Sequence, residues 1–127
     1  MVEAKIKLTK TMLNKSIIDA NKTVCEFLDH DFGMNYNDRF FTEEWWDVES
    51  QRTERAHFIV VGEYADGTEA DVKFYRSVKR GDKRISIQKL KQYAEAGDEV
   101  ILTSDAESLH DAYRIHINIV RQTDATG

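Results

Sequence analysis

Two β-rich runs meet across a single turn, and no other feature restricts the chain as strongly. Residues 57–64, His-Phe-Ile-Val-Val-Gly-Glu-Tyr, are followed by Ala65-Asp66-Gly67-Thr68 and then by a second run over 70–77. Asp-Gly between two such runs is a hairpin signal, because glycine takes up the positive φ that a tight reversal needs. In the returning run Val72 and Phe74 alternate with Asp71, Lys73 and Tyr75, which gives a strand one apolar and one polar face. A half-buried antiparallel hairpin is therefore predicted near the middle of the chain.

Downstream, a turn at Arg80-Gly81-Asp82 leads to a predicted short strand over 84–87. A short helix over 88–95 would bury Leu90, Tyr93 and Ala94 and end at Gly97, with another strand over 99–103. Ser104-Asp105-Ala106-Glu107 has capping-box spacing and would open a turn or two of helix toward His110. A final strand over 113–119 would place Tyr113, Ile115, Ile117 and Ile119 on one face.

Upstream, Leu13, Ile17, Val24, Phe27 and Leu28, with Ala20 between them, fall on one helical face. That spacing predicts one long helix over 9–31, N-capped by Thr9 or Thr11 and closed by a left-handed Gly33. Segment 34–55 is aromatic and acidic without a clean period; it accommodates a short strand around 39–41 and a short helix after Thr42. The expected fold is α+β, a long N-terminal helix packed on a mostly antiparallel, barrel-like sheet of about five strands. With 127 residues the chain is sized for one domain, expected over 1–121, with a frayed tail over 122–127.

Cys25 is the only cysteine, so an intramolecular disulfide and a cysteine-based zinc site are excluded and a reducing compartment fits. The first eight residues lack the apolar core of a signal peptide, and no run reaches the roughly 20 apolar residues a membrane span needs. A cytoplasmic protein without a membrane partner is expected, and an oligomer is compatible with the sequence. Proline is absent, which leaves glycine, Asn and Asp to make the turns.

Charge is unevenly spread. The chain carries 18 Lys+Arg against 23 Asp+Glu, a net −5, yet the window 73–91 holds eight cations against Asp82 alone, a net +7. The remainder is therefore −12, much of it in 29–71, where Glu43, Glu44, Asp47 and Glu49 surround Trp45 and Trp46. Screening at physiological salt hides exposed charges beyond about 8–10 Å, so a local basic field attracts a polyanion even on an acidic protein. Arginine forks grip phosphates and guanine edges, and Tyr75 offers a stacking face.

The residues Arg84-Ile-Ser-Ile-Gln-Lys-Leu, followed by Ala96-Gly-Asp-Glu-Val-Ile-Leu, resemble the strand, short helix, Gly-Asp, strand pattern of small DNA-binding β-barrels of the AbrB and MazE type. That resemblance implies a tight helix-to-strand turn at Gly97-Asp98, with Leu90, Val100 and Leu102 filling a barrel. The longer stretch from Val72 to Ile87 resembles the recognition domains of EcoRII-type restriction endonucleases, which share the pseudobarrel of plant B3 domains. In that family loops and strands at one barrel rim enter the DNA major groove, which implies that Arg76, Lys79, Arg80, Lys83 and Arg84 lie near nucleic acid.

The expected function is non-enzymatic recognition of DNA or RNA, linked to restriction or phage defence, through Lys73, Tyr75, Arg76, Lys79, Arg80, Lys83 and Arg84, with no cofactor. One alternative is a small acidic inhibitor of the phage type, anti-restriction or anti-CRISPR, that presents Glu43, Glu44, Trp45 and Trp46 to a basic protein. Another is a metal-dependent nuclease in which Glu63 and Asp71 hold Mg²⁺ and Lys73 steadies the attacking water. His30, His57, His110 and His116 include no pair spaced for zinc, and Cys25 reads as a core thiol. Because Trp45 and Trp46 are adjacent, they cannot fill one core position together; either one is exposed or both cap the barrel ends.

Overall fold

The computed structural model describes residues 2–104 and 114–122. In chain order its elements are β1 (Ala4–Lys7), α1 (Lys10–Lys15), β2 (Ile18–Asp19), α2 (Lys22–Phe32), α3 (Arg39–Thr42), β3 (Glu44–Asp47), β4 (Arg52–Arg55), β5 (His57–Tyr64), β6 (Glu69–Arg76), β7 (Lys83–Ile87), α4 (Leu90–Tyr93), β8 (Glu99–Ser104) and β9 (Arg114–Val120). Seven strands form one curled, half-barrel sheet in the order β1-β8-β9-β5-β6-β7-β2, and β3 and β4 make a separate two-stranded ribbon. The fold is α+β.

The hairpin forms where the alternation predicts it. Phe58, Val60, Val72 and Phe74 point into the core while Ile59, Lys73 and Tyr75 face outward. The reversal is a three-residue connection: Tyr64 N–H donates to Thr68 O at 2.9 Å, Gly67 N–H donates to Tyr64 O at 2.9 Å, and only Gly67 takes a positive φ, of 88°. Asp66 accepts from Thr68 N–H at 2.9 Å and from the Tyr93 hydroxyl at 2.8 Å, which holds its carboxyl below the usual range. The downstream strands β7, β8 and β9 and the short helix α4 likewise fall within a residue or two of their predicted positions. The capping box over 104–107, Tyr113 and the tail beyond Gln122 lie outside the described residues, except that Ser104 ends β8. Gln122 N–H donates to Asp98 at 2.8 Å.

Three expectations are corrected. The single helix over 9–31 is two helices separated by an edge strand. Thr9 does cap α1, accepting from Met12 N–H, and Gly33 does end α2 at φ 64°, but Ser16 turns left-handed at φ 54° and breaks the path between them. The β-branched pair Ile17-Ile18 then runs extended, a conformation it prefers. Ile18 is buried opposite Ile85 while Ile17 is 37% exposed, and Asn21 restarts the helix by accepting from Val24 N–H. Segment 34–55 also inverts the expectation: the helix comes first, at Arg39–Thr42, and the strand follows at Glu44–Asp47. Finally, the main sheet has seven strands rather than five and is mixed, because β9 inserts between β8 and β5 and runs parallel to β5.

The core lies on the concave side, where Val24, Phe27 and Leu28 of α2, Tyr36 and Phe41 meet the inward residues of the strands. Burying each such side chain contributes about 1.5–3 kcal/mol. Two core tyrosines satisfy their hydroxyls on backbone carbonyls: Tyr36 donates to Arg84 O at 2.8 Å and Tyr64 to Gln88 O at 2.7 Å. Burial pushes both phenols up, so they stay neutral donors. At one sheet edge, Lys5 N–H donates to Thr23 Oγ1, and Lys5 O accepts from Asn21 Nδ2 and Thr23 Oγ1. The opposite edge is the two-residue β2, extended by Ala20 N–H donating to Lys83 O. Among the described residues no helix is long and apolar enough to cross a membrane.

Candidate nucleic-acid interface

The outward faces of β5, β6 and β7 form the floor of an open cleft of about 610 Å³. Antiparallel register aligns His57 with Tyr75 and Tyr75 with Arg84 in one row, and Ile59 with Lys73 and Lys73 with Ser86 in the next. Residues 52–55 of β4 make one wall, and residues 76–79, leaving β6, make the other. Arg52, Arg55, Lys73, Arg76, Lys79 and Arg84 line this space against one carboxylate, Glu54. Of the predicted basic set, Lys73, Tyr75, Arg76, Lys79 and Arg84 thus come together.

Arg80 and Lys83 do not join them. They line a separate open depression with Asp19, Ala20, Gly81 and Asp82, reached by Arg76 from the other side. The divider is the predicted turn, held by Ser77 N–H donating to Asp82 O, Gly81 N–H to Ser77 O, and Asp82 N–H to Ser77 Oγ. Gly81 has φ 72°, and a Cβ there would stand 3.4 Å from Nη2 of Arg76.

The cations divide into two kinds. Arg55 bonds Glu44 at 2.8 Å, Val78 O at 3.3 Å and Thr42 O at 3.4 Å, tying the ribbon to the loop after β6. Arg76 Nη1 donates to Tyr36 O at 2.6 Å and Asn37 Oδ1 at 3.3 Å. Arg84 lies 3.5 Å from Asp82 and 3.8 Å from Asp19. The Nε of each of these three is buried without a hydrogen-bond partner among the described residues, so they are built into the fold with one donor left over. A guanidinium suits this work because its fixed fork spans several carbonyls. Lys73, Lys79, Arg80 and Lys83, by contrast, have no ion pair among the described residues, and the Arg52 side chain is 72% exposed beside Glu54. These are the charges a ligand can reach.

Tyr75 is half-buried, and burial raises its phenol while the Arg84 charge pulls it down. The Lys73 ammonium sits 4.8 Å from its ring centroid, a cation–π contact. The ribbon adds aromatic surface. In a strand, neighbouring side chains alternate, so Trp45 shares a face with Glu54 and Trp46 with Thr53, and both are exposed, at 44% and 61%. Neither tryptophan is sealed away at a barrel end. Trp45 lies 6.4 Å from the His57 ring, at the cleft. Glu44 is occupied by Arg55, and Glu43 closes α3 while its carbonyl accepts from Ala56 N–H.

The carboxylates of the nuclease reading sit elsewhere on the sheet. Glu63 accepts from Arg114 at 3.0 Å, and Asp71 stands opposite Val61, two register positions from Glu63. Among the described residues no group of three His, Cys, Asp or Glu side chains is placed to hold a metal ion. Cys25 is half-buried against the core, and burial raises its thiol.

The cleft residues that sequence reasoning missed include Arg52, Arg55, His57 and Ser86. The two arginines lie in a segment whose net charge is acidic, so a charge window hides them. His57 was legible in principle, because the hairpin register pairs it with Tyr75. Compared with protein-family models, curated proteins and solved structures, the chain has no significant match.

Proposed function

We propose that the chain binds nucleic acid, without catalysing a reaction on it, through the cleft between β4 and the outer face of β5–β6–β7. The observation that carries this reading is the convergence of six cationic side chains on one open cleft, three of them paired with carboxylates and Lys73 and Lys79 without an ion pair among the described residues, beside Tyr75 and His57 and with Trp45 6.4 Å from the His57 ring. The built-in arginines fix the shape and the field of the site, and Lys73, Lys79 and Arg52 supply charge that phosphates can approach. The expected DNA-binding pseudobarrel resemblance and the link to restriction or phage defence belong to this proposal; the curled seven-stranded sheet is compatible with the former.

Salt titration tests it. Binding to a labelled oligonucleotide should weaken as a straight line of log K against log salt, and Lys73→Ala and Lys79→Ala should each reduce the slope by about 1. Binding that ignores salt, or slopes unchanged in both variants, would refute the proposal.

A second reading, a protein partner taken by the ribbon, is favoured by the exposure of Trp46 at 61% and Val48 at 77% among Glu43, Asp47 and Glu49. Its acidic half is weakened by the pairing of Glu44 with Arg55 and Glu54 with Arg52. An acidic inhibitor of this kind would bind no nucleic acid and would instead compete with it for a basic protein.

A further inference from the structure

We infer that the cleft is built for a single strand rather than a duplex, an inference that rests on the nucleic-acid reading above. The rings at the site form a file. Trp45 of the ribbon lies 6.4 Å from His57, and His57 stands directly across the β5–β6 pair from Tyr75. Residues directly opposite in an antiparallel pair have their Cβ atoms about 4.5–5.5 Å apart, so His57 and Tyr75 leave the outward face of the sheet from neighbouring positions. Cations flank the file, with Lys73 over Tyr75, Arg84 beside it, and Arg52 and Lys79 on the two walls.

Aromatic faces at a basic cleft can stack on bases whose own faces are free. In a duplex each base is covered above and below by its neighbours, so protein rings can reach it only by prying the stack apart. In a single strand the faces are available, and stacking on each ring is sequence-tolerant. The dimensions agree. The open cleft of about 610 Å³ holds about twenty water volumes, room for a nucleotide or two.

The element that could enter a duplex groove is the β3–β4 ribbon, since a two-stranded ribbon fits the major groove. Its turn is wrong for that. Asp47 and Glu49 carry carboxylates there, and Asp47 is held facing the turn by accepting from Glu49 N–H at 3.1 Å and the Ser50 hydroxyl at 2.9 Å. A groove flanked by two phosphate backbones repels such a tip. The cations of the ribbon, Arg52 opposite Asp47 and Arg55 opposite Glu44, both border the cleft.

The experiment compares a labelled oligo-dT of about 12 nucleotides, within the usual range of single-strand sites, with a duplex of the same length. Binding is read by anisotropy and by quenching of tryptophan emission. The single strand should bind at least about tenfold more tightly and quench the emission. Trp45→Ala should weaken single-strand binding by about 5- to 100-fold, the range for loss of one stacked base, while Trp45→Phe retains most of the affinity. Tyr75→Leu gives an independent loss at the other end of the file. Equal or tighter binding of the duplex, or single-strand binding unchanged in Trp45→Ala and Tyr75→Leu, overturns this inference and leaves the basic cleft standing. No binding of either nucleic acid overturns the proposed function, and this inference with it.

Discussion

Replacing Arg76 by methionine separates the arginines that build the cleft from the charges that serve it. Methionine keeps most of the aliphatic stem and deletes the guanidinium, whose Nη1 donates to Tyr36 O at 2.6 Å and to Asn37 Oδ1 at 3.3 Å. A hydrogen bond from a charged donor contributes about 1.5–3 kcal/mol, and the Tyr36 carbonyl left behind costs up to a similar amount if water cannot replace the donor. Two effects oppose this. Arg76 Nε is already buried without a partner, so its removal relieves a desolvated donor. Arg76 and Arg55 also converge on Gly81, with Nη2 atoms 3.4 Å and 4.0 Å from the position of its absent Cβ, so deleting one charge relieves repulsion.

The low end of the range therefore applies, and the expected loss is about 2 kcal/mol. For a chain of this length that corresponds to a fall in Tm of about 6–8 °C. Urea melts followed by far-UV circular dichroism measure it directly, with Lys79→Met as the control. Lys79 is exposed and without an ion pair among the described residues, so its replacement should change stability by less than about 0.5 kcal/mol. If Arg76→Met is as stable as Lys79→Met, the division of the basic residues into structural and ligand-facing sets is wrong.

Two further perturbations probe the fold around the cleft. A Cβ at Gly62 would stand 2.6 Å from Ile117 Cδ1 and 2.9 Å from Val72 Cγ2, so Gly62→Ala should cost about 1–3 kcal/mol; Ile117→Val removes the closest atom, and a double-mutant cycle should recover part of the loss. Asp98 accepts from Gln122 N–H at 2.8 Å, Glu95 N–H at 2.9 Å and Arg121 at 3.1 Å, and these donors hold its carboxyl below the usual range. Its contribution to stability is thus present above the unfolded value of about 3.9 and is lost as pH falls through the lower folded value, so Asp98→Asn should flatten the acid limb of the stability curve measured by urea melts across that window.

The hairpin, β7 and β8 were legible because each couples a period-two pattern to a glycine-containing turn, which leaves few alternatives, and β9 was legible from the alternation of Ile115, Ile117 and Ile119 alone. The split between α1 and α2 was not, and the reason is specific. Leu13, Ile17, Val24, Phe27 and Leu28 share a helical face by spacing, but on that face only Ala20 stands between Ile17 and Val24, and Ile18 gains more by burial against Ile85. β1 carries its own alternation, Ala4 and Ile6 inward and Lys5 and Lys7 outward, which is too short to stand out without its partner β8. At the cleft, the basic window located the floor and one wall. The opposite wall depends on where a ribbon folds back, and Arg52 and Arg55 sit among acids that conceal them from any count along the chain. Which of the basic residues are spoken for is a property of distant carbonyls, such as Tyr36 O, that no local pattern encodes.

Residues 18–23 tie together the two lateral edges of the curled sheet: Ile18 and Asp19 pair with β7, Ala20 reaches Lys83, and Asn21 and Thr23 occupy the open side of β1. A sheet that stops short of closing leaves two rows of unmet donors and acceptors, each a template on which another chain can grow as an aggregate. Here a single six-residue stretch shields part of both rows, one with a two-residue strand and the other with side chains. The seam of the half-barrel therefore leaves fewer unmet edge groups on which another strand could add, while the outward face of the sheet stays uncovered by this stretch.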